Sequence, residues 1–259
     1  MSDVAIKKND LPALNDWKKD AGMGFEEASS DEFKLPLIKI IYSSSMPDVE
    51  KTVDGKPVSE GCIYNQTSER AYAGEPGILV VPCYYKRSFN EWAPLEDGNN
   101  RPVAVHKDKP EGTVRNGNKD ELPNGNYVED TGNWFVMILD SKYQVIEEGL
   151  ITMKSTQKKK ATEWLQKLRS NQIDGQTPPG YKCVYRLSTV RQKSGTYKYW
   201  GWQIRFDRFL EESDKKDATT YVKAKTFAHH AKEFNLYYGP ESQEQTDNPN
   251  TKEAKEVPF

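Results

Sequence analysis

The sequence is poor in the residues that build metal centres and disulfide frameworks. Its 259 residues include three histidines and three cysteines, Cys62, Cys83 and Cys183. No Cys or His pair has the spacing of zinc ligands, so we expect neither a metal site nor a cofactor. An odd number of widely separated cysteines beside apolar or aromatic neighbours indicates small buried thiols and argues against a disulfide framework.

Long apolar runs and catalytic motifs are missing as well. No segment approaches the roughly 20 apolar residues of a transmembrane helix, and residues 1–10 lack the apolar core of a signal peptide. The sequence has no Gly-rich phosphate loop before a helix, no nucleophile elbow and no Cys–His pair. We therefore expect a cytoplasmic protein that has no membrane contact and is not an enzyme.

Composition divides the chain into three regions. Residues 1–34 carry eight acidic residues against five lysines, and apolar residues at helical spacing predict a short helix at 11–20 within this N-terminal arm. Residues 35–239 contain nearly all of the apolar and aromatic segments and form the predicted domain. Residues 240–259 have almost no apolar residue before position 257 and are predicted to be a disordered tail.

The central region is predicted to be mainly β (α+β), with two helices. Strands are expected at 35–42, 78–85, 134–139 and 143–153, and a hairpin at 181–191 and 196–210 with its turn at 192–195. Apolar stripes at helical spacing predict an internal helix at 157–170 and a C-terminal helix at 217–235. Residues 93–131, rich in Gly, Asn, Pro and Asp, are expected to form a long irregular insertion or a pair of weak strands.

Charge is strongly segregated along the chain. Residues 141–209 contain 14 Lys and Arg against five Asp and Glu, a net charge of +9. Because the whole chain carries −2, the remaining residues carry −11. A basic module between acidic ends predicts a partner with dense negative charge.

The second hairpin strand has two unlike faces. Alternation places an apolar set toward the core: Lys198, Trp200, Trp202, Ile204 and Phe206. The other face exposes tyrosines beside glycine and arginine: Tyr197, Tyr199, Gly201, Gln203 and Arg205. Single-stranded nucleic acid needs rings that stack on bases and cations that neutralise phosphates, and this face supplies both. The alternative is that these aromatics are ordinary strand formers in a packed sheet.

The predicted nucleic-acid contacts follow from this face and from a second basic and aromatic stretch at 84–92. Tyr197 and Tyr199 are expected to stack on bases. The remaining predicted contacts are Arg191, Lys193, Lys198, Arg205, Tyr185, Arg186, Tyr84, Lys86 and Arg87. For the stretch at 84–92, an amphipathic strand end is an equally good interpretation.

The chain ends in a short apolar motif. Residues 241–259 hold five acidic residues and two lysines and finish with Val257, Pro258 and Phe259. A terminal Phe presents a ring and a carboxylate together, which a partner protein can bind with an apolar pocket and a basic residue.

A basic, aromatic β core followed by an acidic tail ending in Pro-Phe resembles the single-stranded DNA-binding proteins of bacteria and tailed phages. The stretch GILVVPCYYKRSFNEW is similar to a segment of such phage proteins. The resemblance implies an oligonucleotide-binding (OB)-like five-stranded barrel, here with insertions, in the host cytoplasm. It further implies a role in phage DNA replication, recombination and repair, with a tail that recruits replication, recombination or transcription proteins.

Two other functions remain open at this point. A phage transcription-regulatory or protein-interaction factor would use the basic hairpin to dock on an acidic protein surface. A metal-dependent nuclease would need carboxylates such as Asp140, Glu147 and Glu148, but adjacent residues of a strand point to opposite faces. The sequence also leaves open whether DNA or RNA is the ligand.

Overall fold

The structure is a computed structural model that describes residues 36–42, 52–53, 56–94 and 101–237. All of these residues belong to the compact unit Leu35–Asp247. The predicted helix at 11–20 and the predicted tail at 240–259 lie outside the described residues.

Within the described residues the chain forms thirteen strands and two α-helices. The strands are β1 (Leu37–Ile40), β2 (Thr52–Val53), β3 (Lys56–Pro57), β4 (Ile63–Asn65), β5 (Ala71–Tyr72), β6 (Ile78–Trp92), β7 (Ala104–His106), β8 (Val114–Asn116), β9 (Lys119–Glu121), β10 (Tyr127–Leu139), β11 (Val145–Lys154), β12 (Cys183–Ser194) and β13 (Tyr197–Phe209). The helices are α1 (Lys158–Ser170), between β11 and β12, and α2 (Lys215–Glu233), after β13.

Eleven strands form one curled, half-barrel sheet. Its main path runs β13-β12-β6-β10-β11-β1-β4-β5. Neighbours on this path are antiparallel except β1 and β11, which are parallel. The prediction of a mainly β protein is confirmed, but the sheet has more than five strands. The 15 residues of β6 and the 13 of β10 are long enough for β7 and β9 to pair at their ends.

Both predicted helices are present. The internal helix begins at Lys158 and ends at Ser170, and the C-terminal helix spans Lys215–Glu233. The region 93–131 contains three short strands, β7 to β9, and the first residues of β10. Glu91 on β6 ties this region to the sheet by accepting hydrogen bonds from His106 Nε2 at 2.8 Å and from Asn126 Nδ2 at 2.5 Å.

One face of the sheet packs against α1. Trp134 of β10 and Trp164 of α1 are almost fully buried, with ring centroids 4.3 Å apart. Gly132 makes this approach possible, because a Cβ atom at that position would lie 2.7 Å from the Ala161 Cβ atom. Trp202 and Ile204 of β13 belong to the same core.

The opposite face packs against α2. Phe135 of β10 contacts Phe227 and Phe234 edge to face, with centroids 6.3 and 5.9 Å apart. Asp214 caps the start of this helix, because its side chain accepts a hydrogen bond from the backbone N–H of Lys216 at 2.7 Å. Asp217 in its first turn is buried and accepts from Arg208 Nη2 at 2.8 Å, which joins α2 to the end of β13. The Arg208 guanidinium holds the pKa of Asp217 below its usual range.

Candidate functional site

The β12–β13 hairpin extends beyond the central strands. The two strands pair along their whole length, whereas β12 pairs with β6 only from Tyr185 to Leu187. The turn between them contains Gly195 at φ +60°, a left-handed conformation that favours glycine. The far part of the hairpin is therefore a two-stranded ribbon that carries side chains on both faces.

Two glycines close to β4 and β5 accept hydrogen bonds from the part of the hairpin that lies next to the sheet. The Thr189 backbone N–H donates to the Gly74 carbonyl at 2.8 Å, and Thr189 Oγ1 donates to the Gly61 carbonyl at 2.5 Å. Gly61 has φ +86°, and a Cβ atom there would lie 2.8 Å from the Trp200 indole. Only a glycine leaves room for this ring, so Gly61 allows Trp200 to pack at this position.

Two side chains bind the outer edge of β13. The Tyr42 hydroxyl donates to the Trp200 carbonyl at 2.8 Å, and the Trp202 backbone N–H donates to Gln157 Oε1 at 2.8 Å. Sequence reasoning missed both contacts, because no local pattern marks a tyrosine 158 residues before its partner. They anchor β13 to residues next to β1 and α1.

Gly201 has a packing role that the sequence did not reveal. A Cβ atom at this position would lie 2.6 Å from Gln192 Oε1 and 2.7 Å from Gln157 Nε2. The absent side chain thus makes room for the two amides.

Four of the predicted phosphate contacts share one property. They are exposed, and none makes an ion pair with another residue in the described part of the chain: Arg191, Lys193, Lys198 and Arg205. Lys198 was predicted on the core face, but it lies beyond the part of the sheet that the core covers. The Arg191 guanidinium lies 5.6 Å from the centroid of the Trp200 ring. The charges of these four exposed cations are available to an external anion.

The other predicted basic contacts already have partners. Arg87 donates two hydrogen bonds to Asp130, at 2.9 and 2.8 Å. Lys86 Nζ donates to the Lys232 carbonyl at 2.9 Å and to the Phe234 carbonyl, at the end of α2. Burial lowers the pKa of Lys86. Arg186 Nη2 lies 3.7 Å from Asp207 Oδ1 and forms an ion pair with it. We therefore correct the role of Lys86 from phosphate contact to the capping of α2.

The aromatic residues of the hairpin divide between core and surface. Trp202 and Ile204 are buried, as alternation predicts, and Tyr199 is partly exposed on the other face. Phe206 was predicted to face the core, but 41% of its surface is exposed, because it lies at the margin of the core and packs edge to face on Tyr185 and Phe209. The side chain of Tyr197 lies outside the described residues.

Two other tyrosines predicted to contact nucleic acid lie in packed regions. Tyr185 is fully buried, and its ring meets Trp164 at a centroid distance of 5.7 Å. Its hydroxyl accepts from Asn171 Nδ2 at 2.8 Å, and burial raises its pKa. No ring face is left for a base, so the prediction for Tyr185 is corrected. The Tyr84 ring packs edge to face on Phe135, next to α2, with ring centroids 6.4 Å apart.

The carboxylates considered for a nuclease are separated. Glu147 accepts from Ser68 Oγ at 2.6 Å and from the Tyr72 hydroxyl. Burial raises the pKa of Glu148, while the charges of His230 and Lys223 lower it, so this side chain faces α2. Among the described residues, no group of three or more His, Cys, Asp or Glu is arranged to hold a metal ion.

A model of the Pam3 phage gp34-like protein family matches residues 6–236. The chain belongs to this family. The match spans the hairpin, both helices and the whole described sheet, and it indicates a bacteriophage protein. No curated protein matches the chain, and no solved structure matches it.

Two sequence predictions for this Pam3 phage gp34-like chain concern features other than the hairpin. In its described residues, no helix is long and apolar enough to cross a membrane. The predicted partner-binding residues Val257, Pro258 and Phe259 lie outside the described residues and beyond the part that the family model matches.

Proposed function

We propose that this phage protein binds single-stranded DNA, without sequence preference, along the β12–β13 hairpin. The observation that carries the proposal is the set of four exposed cations that have no carboxylate partner among the described residues, beside partly exposed rings. The protein would act in phage DNA replication, recombination and repair, in the host cytoplasm and without turnover chemistry.

The cations favour a polyanion as the ligand. Some basic side chains elsewhere in the described structure face carboxylates, as Arg87 faces Asp130 and Arg208 faces Asp217. The four hairpin cations lie together on one hairpin and have no such ion pair among the described residues. Phosphates of a nucleic acid would neutralise them and release bound counterions, which is the main source of non-specific affinity.

The rings favour single strands over duplexes. Tyr199 lies on the same hairpin as the cations and is partly exposed. An unpaired base has a free face that a tyrosine can stack on, whereas the bases of a duplex are already stacked on each other. Stacking tolerates any base and contributes about 1–3 kcal/mol for each ring.

Two finer proposals accompany this one. The curled sheet is an elaborated OB-like barrel that presents the hairpin to single-stranded DNA. Val257, Pro258 and Phe259 recruit replication, recombination or transcription proteins through the terminal ring and carboxylate.

Fluorescence anisotropy with labelled oligonucleotides tests the proposed ligand. For single strands the logarithm of affinity falls by about 0.7 per phosphate contact for each decade of salt, so four contacts give a slope of about −3. We expect affinity to fall about 50-fold between about 50 and 200 mM salt, with single strands bound much more tightly than duplexes of equal length.

Equal affinity for single strands and duplexes would exclude the stacking model. Failure to bind any oligonucleotide at low salt would refute nucleic-acid binding and favour a hairpin that docks on an acidic protein. Parallel titrations with DNA and RNA of one sequence identify the preferred sugar.

A further inference from the structure

Tyr42 is an aromatic residue at the hairpin that comes from a distant part of the chain. It is the second residue after the end of β1, and 36% of its surface is exposed. Its hydroxyl donates to the Trp200 carbonyl at 2.8 Å, at the outer edge of β13. The Tyr42 ring therefore lies next to Trp200, on the hairpin that carries the four exposed cations.

The surroundings of Tyr42 hold its ring in a defined place. The preceding residue is fixed to the segment before β4: Ile41 N–H donates to the Cys62 carbonyl at 2.8 Å, and Gly61 N–H donates to the Ile41 carbonyl at 2.9 Å. Burial, and to a smaller extent the charge of ionised Tyr199, raises the pKa of Tyr42, which is consistent with two neighbouring phenols.

A ring that is partly exposed and also held by its hydroxyl is suited to stacking. It loses little conformational entropy when a base packs on it, because its orientation is already set before binding. Trp200 is less accessible to a base, since Gly61 packs against its ring and the Arg191 guanidinium lies 5.6 Å from the ring centroid.

We propose that Tyr42 is a second base-stacking residue of the interface and that, together with Tyr199, it holds neighbouring bases of one single strand. This inference rests on the proposed function. It extends the DNA-binding surface from the hairpin to the end of β1.

The competing role for Tyr42 is a purely structural tie between β1 and β13, and the two roles differ in two measurable ways. A stacking ring contributes affinity without neutralising phosphate, so its loss leaves the salt slope unchanged. A structural tie acts through its hydroxyl bond, so Tyr42→Phe would be as harmful as Tyr42→Ala, and misplaced cations would lower the slope.

Anisotropy titrations of the full chain with labelled oligo(dT) at several salt concentrations distinguish these roles. We expect Tyr42→Ala to bind about tenfold more weakly with the wild-type salt slope, and Tyr42→Phe to bind within about twofold of the wild type. Tyr237→Ala is the matched control, because Tyr237 is also partly exposed and donates to a main-chain carbonyl of a distant strand, that of Arg87 at 3.1 Å. It should bind like the wild type.

Each contrary result has one meaning. If the wild type binds oligo(dT) and Tyr42→Ala binds equally well, the stacking role of Tyr42 is overturned while the proposed function stands. Equal losses in Tyr42→Phe and Tyr42→Ala, or a reduced salt slope, likewise overturn it in favour of the structural tie. If the wild type itself fails to bind at low salt, both proposals are overturned.

Discussion

Replacing the four exposed hairpin cations with glutamine is expected to abolish most single-strand binding. The variant combines Arg191→Gln, Lys193→Gln, Lys198→Gln and Arg205→Gln. Four lost phosphate contacts lower the affinity on the order of 10³-fold at ~50 mM salt, and the salt slope should approach zero. The melting temperature should stay close to that of the wild type, because these exposed side chains have no ion pair in the described structure to lose.

A second quadruple variant controls for net charge. It replaces four exposed lysines outside the hairpin with glutamine, namely Lys107, Lys142, Lys167 and Lys225. This control should keep the affinity within a few-fold of the wild type, because only long-range attraction is weakened. If the two variants lose affinity equally, binding is a general charge effect, and the hairpin is not the interface.

Trp202→Ala is expected to have the largest effect on stability in the hairpin. Trp202 is 3% exposed and belongs to the core that includes Tyr185, Ile204 and Trp164. Removing a buried indole leaves a large cavity and lowers the free energy of unfolding by about 3–5 kcal/mol. The melting temperature, measured by circular dichroism, should fall by about 10 °C for a protein of this size.

Tyr199→Ala is the matched variant on the opposite face of the same strand. It should melt like the wild type, because Tyr199 is partly exposed, yet bind single strands about 5- to 100-fold more weakly. The reverse pattern, with Tyr199→Ala unstable and Trp202→Ala defective only in binding, would mean that the two strand faces have been exchanged.

The hairpin shows which features the alternation of side chains along a strand can predict and which it cannot. Trp202 and Ile204 point to the core as the period of two predicts, and the strands begin and end within three residues of their predicted limits. The pattern does not show where the covering layer stops, so it misplaced Lys198 and Phe206. The pairing of β12 with β13 shifts register between Val184 and Tyr185. The burial of Tyr185 was not predicted.

Long-range pairing accounts for the other differences from the sequence prediction. The parallel pairing of β1 with β11 joins Leu37 to Leu150, and nothing in either segment indicates its partner. For the same reason Tyr42, Gly61 and Gln157 escaped notice, since each supports the hairpin from a remote part of the chain. Lys86 had the residue type of a phosphate contact, but the end of α2 already occupies its donors.

Photo-crosslinking tests the central claim, that the β12–β13 hairpin is the single-strand interface, most directly. An oligonucleotide with 5-iododeoxyuridine is irradiated with the full chain, and the attached peptides are mapped by mass spectrometry. The account predicts crosslinks within residues 191–206 that unlabelled single strands suppress and high salt abolishes. Crosslinks confined to other segments, such as residues 84–92 or α2, would contradict it.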